Sequence, residues 1–274
     1  MNKCELFEFI SEQVWDFICR NHVRNNRLNE EGISRQTILD QIQNYVENQH
    51  TFNVFAQKAR NEVNTGGDLE IFLDNGQRRF YRILLQAKLM NVDCCFEHLN
   101  RNSGSTGRKQ YDTLKSFATQ SGSDAYYLMY NGCPDYRGAD YDCAGYYSEK
   151  QFGCAILEID EVKKHCEDNS TGTLGSSRDK KPFGKPWRFL TCCDYQYLSG
   201  NKLYDLSEID MDPYFQNLFT PPNLISFITP EQIRRTQLNE NNNDIIHKDG
   251  WNPSGRIIIS KYPMRKSNDG IIEI

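Results

Sequence analysis

Apolar residues recur along this chain with two different periods, and the order in which the periods alternate predicts its architecture. From Glu5 to about Val23, the side chains Leu6, Phe7, Ile10, Val14, Phe17 and Ile18 return every three or four residues, the spacing of one face of an amphipathic helix. A second helix is expected after Ser34, a residue type suited to N-capping, with Ile38, Leu39, Ile42 and Val46 facing inward. Thr51 to Phe55 reads as a short strand and Ala56 to Val63 as a helical turn. Two apolar runs, Leu69 to Leu73 and Phe80 to Ala87, then read as strands of a sheet covered on both faces. Beyond a Ser/Gly/Asn loop at 100–107, Lys109 to Thr119 reads as a helix that turns Tyr111, Leu114, Phe117 and Ala118 inward. Ala125 to Tyr130 and Gly153 to Ile159 are further strands, a helix follows around Asp160 to Cys166, and Arg256 to Ser260 is a closing strand.

Strand, helix, strand in this order predicts an α/β fold: a mixed central β-sheet flanked by helices. Residues 1–50 are expected to be a helical segment packing on the core, 51–200 the core itself, and 201–274 an extension completing the same domain. No internal repeat and no clean linker interrupts the chain.

Composition narrows the function. A chain of 274 residues with 38% hydrophobic side chains can bury a sizeable core. Its net charge of −5 means that any grip on a polyanion must come from a local patch or from bound metal. Glu5, Glu8, Glu12 and Asp16 interrupt the N-terminus before an export signal can form, and no run of about 18 apolar residues exists, so a soluble cytoplasmic protein without a membrane partner is expected. The ten cysteines contain no Cys-x-x-Cys pair and are expected as reduced thiols, several of them buried. Cys133, Cys143, Cys154 and Cys166 are too irregularly spaced to make a strong zinc signal. No Gly-Lys-Ser/Thr phosphate loop is present, which argues against an ATPase.

The candidate chemistry lies between Glu62 and Lys88. Asp68, Gln86 and Lys88, with Glu62 and Glu70 nearby, are the residue types of a metal-dependent phosphodiesterase: acidic and amide oxygens for a hard cation such as Mg²⁺ or Mn²⁺, and a lysine for the attacking water or a phosphate oxygen. Each also has a plainer role. Asp68 after Gly66-Gly67 suits a turn, Lys88 suits a strand end, Glu62 is spaced for an ion pair with Lys58, and Gln110 suits a helix cap. Strand parity separates the readings. A two-residue Asn75-Gly76 hairpin turn would send Asp68 and Gln86 to opposite faces, whereas a connection from Asn75 to Arg79 with Asp74 facing Phe80 would put them opposite each other on one face. Arg178, Lys180, Lys181 and Lys185, in a Gly/Ser-rich loop, are candidate phosphate contacts.

Glu62, Gly67-Asp68 and Gln86-Ala87-Lys88, in the order helix, strand, strand, resemble the PD-(D/E)xK superfamily of restriction-endonuclease-like nucleases, in the Gln-x-Lys branch typified by Mrr-type restriction enzymes. More narrowly, Thr65-Gly66-Gly67-Asp68-Leu69-Glu70, Leu85-Gln86-Ala87-Lys88, Gln110 with Leu114, Gly153-Cys154 and Pro186-Trp187 with Leu190 and Cys192 resemble a bacterial family of predicted nucleases with Gly-Ala-Asp at this point. The resemblance spans roughly Leu39 to Cys193. It implies a restriction-endonuclease-like fold and a Mg²⁺- or Mn²⁺-dependent endonuclease, acting on DNA in bacterial defence against phage or foreign DNA and leaving a 5′-phosphate. Asp68, the Gln86 amide, the Ala87 carbonyl and Glu62 would hold the metal, Lys88 would serve the water, and Glu70 and Gln110 would support them. Glutamine where many relatives carry glutamate implies weaker metal binding. A regulatory partner protein, an activating ligand or a homo-oligomer would then restrain or complete the enzyme. The contrasting expectation is a catalytically inactive nuclease-fold protein that binds nucleic acid or a partner.

Overall fold

The computed structural model describes residues 2–48, 51–58, 69–75, 77, 79–102, 107–136, 148–168, 172–175, 183–192, 202–205, 255–266 and 272–273. It is an α/β fold built on a mixed sheet with helices on both faces. The first helix, α1 (Lys3–Val23), opens with a capping box in which Asn2 and Glu5 satisfy each other's backbone amides. The second helical stretch begins earlier than expected, at α2 (Glu30–Gly32). The Asn29 side chain caps it by accepting the Gly32 N–H at 2.7 Å, a stronger start signal than Ser34 because Glu30 and Glu31 follow it. The chain continues through a π-helical segment (Ile33–Leu39) into α3 (Asp40–Asn48). Ser34 therefore sits inside the helix, where its hydroxyl donates to the Glu30 carbonyl at 2.9 Å and lies 2.6 Å from the Tyr130 hydroxyl.

Three strands follow, β1 (Thr51–Lys58), β2 (Leu69–Asp74) and β3 (Arg79–Leu89). The expected helical turn from Ala56 is displaced at its start, since Ala56 to Lys58 pair as strand; its remainder lies outside the described residues. Then come α4 (Gln110–Ser121), β4 (Asp124–Tyr130), a 3₁₀ turn (Glu149–Gly153), β5 (Cys154–Glu158), α5 (Ile159–Asp168), β6 (Lys185–Pro186), α6 (Phe189–Cys192), β7 (Tyr204–Asp205), β8 (Gly255–Lys266) and β9 (Ile272–Glu273). The sheet order is β1-β8-β2-β3-β4-β5-β6, with β7 on β3 and β9 on β8. The late strand β8 thus enters between β1 and β2, antiparallel to the first and parallel to the second, and carries Ile257 and Ile259 into the core. Strand β3 runs antiparallel to β2 and parallel to β4.

Side-chain alternation divides the core in two. Leu69, Ile71, Leu73, Ile83, Leu85, Ala87, Leu128 and Ile156 face α1, the π-helical segment, α3 and α6. Leu84, Tyr127, Met129, Ala155 and Leu157 face α4, α5 and the loop carrying Phe96 and Leu99. Helix α1 lies unusually close to the 3₁₀ turn: a Cβ built on Gly153 would overlap the Ser11 carbonyl, and one on Gly132 would overlap Ile18.

The cysteines depart from the expected set of free thiols. Cys4 at the start of α1 is bonded to Cys192 at the end of α6, and Cys94 to Cys133, whose loops follow the neighbouring parallel strands β3 and β4. Folding brings each pair within disulfide reach, with Cα separations of 5.2 and 5.6 Å. Among the described residues, Cys19, Cys95, Cys154 and Cys166 are free thiols. Among the same residues no helix is long and apolar enough to cross a membrane.

Because Gly153 meets backbone atoms, which cannot rotate away, Gly153→Ala is expected to cost about 1–3 kcal/mol, read as a lower urea midpoint. An unchanged midpoint would show that α1 does not seat against this turn as closely as described.

Candidate active site

The β2–β3 connection settles which side chains share a face. Asn75 holds it open: its backbone N–H donates to the Arg79 carbonyl at 2.8 Å, and its side-chain oxygen accepts the N–H groups of Gln77 and Arg79. Asp74 pairs with Phe80 and the register runs unbroken to Leu69 opposite Leu85. This is the wider turn, and the tight Asn-Gly hairpin does not form. Gln86 is the residue after Leu85, and along β3 it shares one face with Arg82, Leu84 and Lys88.

Glu62 and Asp68 lie outside the described residues, as do Arg178, Lys180 and Lys181. Gln86 and Lys88 are both buried, at 8% and 6% exposure. In the parallel neighbour β4, Tyr127 lies beside Gln86 and Met129 beside Lys88. Burying a lysine is costly unless its ammonium is engaged. Here Lys88 Nζ donates to Gln110 Oε1 at 3.0 Å. Gln110 is set for this contact by its own backbone, because the first residue of α4 has no side-chain cap behind it and its N–H instead donates to the Arg101 carbonyl at 2.9 Å. The structure therefore brings together Gln86, Lys88 and Gln110 of the expected set.

It places Glu70 elsewhere. Glu70 is fully buried and paired at 2.5 Å with Arg82 Nε, whose side chain is 1% exposed. Tyr204 of β7 covers that pair: its ring stacks edge-on to Phe72 and lies 5.7 Å from the Arg82 guanidinium, while its hydroxyl donates to the Ser121 carbonyl at 2.6 Å. Glu70 is thus committed to a structural ion pair. Lys185 lies on the β5–β6 edge, its ammonium 3.9 Å from Glu158 and over the Phe189 ring, three strands from Lys88 in the sheet order. The structure does not bring it to this site.

Sequence reasoning missed a carboxylate. Glu30, the first residue of α2, reaches the end of β3, where its Oε1 accepts the Leu89 N–H at 3.3 Å. Burial pushes its carboxyl above the usual range, opposed first by the charge of Lys88, then by the Leu89 N–H and by Arg101. The local signal was only an acidic first turn behind an Asn cap; its proximity to Lys88 belongs to the tertiary fold.

As a donor for a cation, the Gln86 amide offers oxygen, which suits Mg²⁺ or Mn²⁺ and not a thiolate-preferring metal. Among the described residues, no three acidic, histidine or cysteine side chains converge as a metal site, so Asp68 and Glu62 would have to complete one. A family model described as Family of unknown function (DUF6615) matches residues 3–264, and the chain belongs to this family. No curated protein and no solved structure matches it.

The buried pair yields a prediction that separates it from the site. Glu70→Ala should cost about 3–5 kcal/mol in denaturant unfolding because it strands the Arg82 guanidinium, and Glu70→Leu combined with Arg82→Met should recover most of that loss. A Glu70→Ala protein as stable as the natural one would contradict the structural role.

Proposed function

We propose that this protein is a Mg²⁺- or Mn²⁺-dependent nuclease that hydrolyses phosphodiester bonds in DNA, with Asp68, Gln86 and Lys88 at its centre. The observation that supports the reading is the β2–β3 register with Lys88 held on the Gln86 face, the arrangement that the PD-(D/E)xK resemblance requires. Foreign-DNA defence is the role that the same resemblance suggests.

Asp68, the Gln86 amide, the Ala87 carbonyl and Glu62 would hold the metal, which when bound supplies positive charge to polarise a phosphate and acidify a water. The chain's own contribution is placement. Gln110 orients the Lys88 ammonium, so that its charge is directed before substrate arrives and little reorganisation is needed as negative charge grows on a phosphate oxygen. Burial of Gln86 and Lys88 lowers the local dielectric and strengthens that interaction. A neutral amide at Gln86 leaves the site less negative than a carboxylate would, which eases the approach of a polyanion to a chain of net charge −5 at some cost in metal affinity.

Purified protein incubated with supercoiled plasmid or with RNA should cut in Mg²⁺ or Mn²⁺ and not in EDTA, and Asp68→Ala and Lys88→Ala should each slow cutting at least about 100-fold. Cutting that survives either substitution would contradict the assignment. Absence of cutting under every condition would favour a binding module on a nuclease-like scaffold.

A further inference from the structure

We infer that the segment leading from β3 into α4 is a docking surface for a DNA duplex, on which Arg101 and Arg108 hold backbone phosphates beside Lys88. The surface deepens the nuclease reading and rests on it for the identity of its partner.

The charge pattern of the sequence prepares this strip. From His98 to Tyr111 the chain carries Arg101, Arg108 and Lys109 and no acidic residue, although acids outnumber Lys and Arg by 37 to 32 overall. The first acid beyond it, Asp112, is taken up by Lys163 at 3.0 Å. Folding then joins the two ends of the strip. Asn102 and Lys109 form an antiparallel bridge, the Gln110 N–H donates to the Arg101 carbonyl at 2.9 Å, and the Lys109 ammonium donates to the Asn100 carbonyl at 2.7 Å. Lys109 thus braces the backbone, whereas Arg101 and Arg108 are exposed. The same brace ties the strip to the candidate site, because Gln110, bonded through its backbone to Arg101, accepts the Lys88 ammonium on its side chain at 3.0 Å.

Other cations of the surface are arranged differently. Lys115, Lys150, Lys163 and Lys185 each face an acidic side chain, which cancels much of their field. Arg101 has no ion-pair partner among the described residues. Duplex DNA carries one charge per about 1.7 Å of its axis, and each phosphate that a protein cation neutralises releases condensed counterions. Arginine suits this work because its planar guanidinium can engage two phosphate oxygens at once. Such contacts set the position of the duplex without reading its sequence, which is what a site needs to bring a phosphodiester to Lys88.

The test measures binding of a fluorescein-labelled DNA duplex of about 30 base pairs, in EDTA, across a range of salt concentrations. Arg101→Gln combined with Arg108→Gln should weaken binding about tenfold, alike for duplexes of unrelated sequence, and should lower the slope of log affinity against log salt by about 2. The control, Lys115→Gln with Lys185→Gln, removes the same charge from paired positions and should change neither quantity. All of these residues are exposed, so the melting temperatures should match that of the natural protein. Plasmid cutting in Mg²⁺ by the arginine variant should slow by the same factor at subsaturating DNA and recover at saturating DNA, since phosphate contacts act alike on the ground and transition states. Unchanged affinity and slope in the arginine variant, with cutting intact, would overturn the docking surface and leave the nuclease reading standing. An equal loss in the control would reduce the effect to net charge and also overturn it. Duplex binding that depends on Arg101 and Arg108, in a protein that cuts with no metal, would sink the nuclease reading and leave the surface standing. A natural protein that binds no duplex at low salt would overturn the surface, with plasmid cutting left to decide the nuclease reading.

Discussion

The pairing of β2 with β3 is the constraint on which the remaining structure depends. Because side chains alternate with a period of two, moving one strand by a single residue would exchange its two faces. Leu69, Ile71 and Leu73 would leave the core that α1 and α3 cover, and Glu70 would leave Arg82. Asn75 sets the register locally, with its backbone and side chain both bonded across the turn. The apolar layer on one face and the buried Glu70–Arg82 pair on the other then enforce it over the full length of the strands. The same register carries Gln86 and Lys88 onto the face that α4 and Tyr127 border.

The two ends of that face do different things. At the Arg82 end, opposite charges are matched, buried and covered by Tyr204, which makes a rigid structural plug. At the Lys88 end, a buried lysine donates to a neutral glutamine, and the Glu30 carboxylate accepts the N–H of the residue that follows it. The first arrangement is what a fold uses to specify a register, and the second is what a site uses to keep charge available. Strand β8 reinforces the whole by entering between β1 and β2, so residues from the far end of the chain help to hold the segment that bears the site.

How much of this was legible in the sequence follows the range of the interactions. The long helix and the strand pair were readable from their periods, because burial of one helical face or of both faces of a strand leaves a local pattern. The turn was readable as a choice between two parities, and Gln110 as a residue type near a helix start. The N-cap was misread because Ser34 and Asn29 are both capping types, and the deciding partner, the Gly32 amide, is a backbone contact. Glu30 was not legible as a neighbour of the end of β3: its contact with the Leu89 N–H joins residues 59 apart, and an acidic first turn is ordinary on any helix. The roles of Cys94 and Cys133 were hidden for the same reason, since only the parallel alignment of β3 and β4 brings their loops together. Glu70 reads as a ligand by its place in the motif and acts as an ion-pair partner because Arg82 lies diagonal to it across the strands.

The central claim is that the Gln86 and Lys88 face is where a divalent cation binds. Titrating Mn²⁺ into ¹⁵N-labelled protein tests it without requiring a substrate, because the paramagnetic ion broadens nuclear resonances according to their distance from it. The account predicts that the Gln86 side-chain amide and the backbone amides of Ala87 and Lys88 broaden first, at substoichiometric metal, and that Asp68→Asn removes the effect. Broadening that begins instead at exposed carboxylates such as Asp160, or that is indifferent to Asp68, would contradict it.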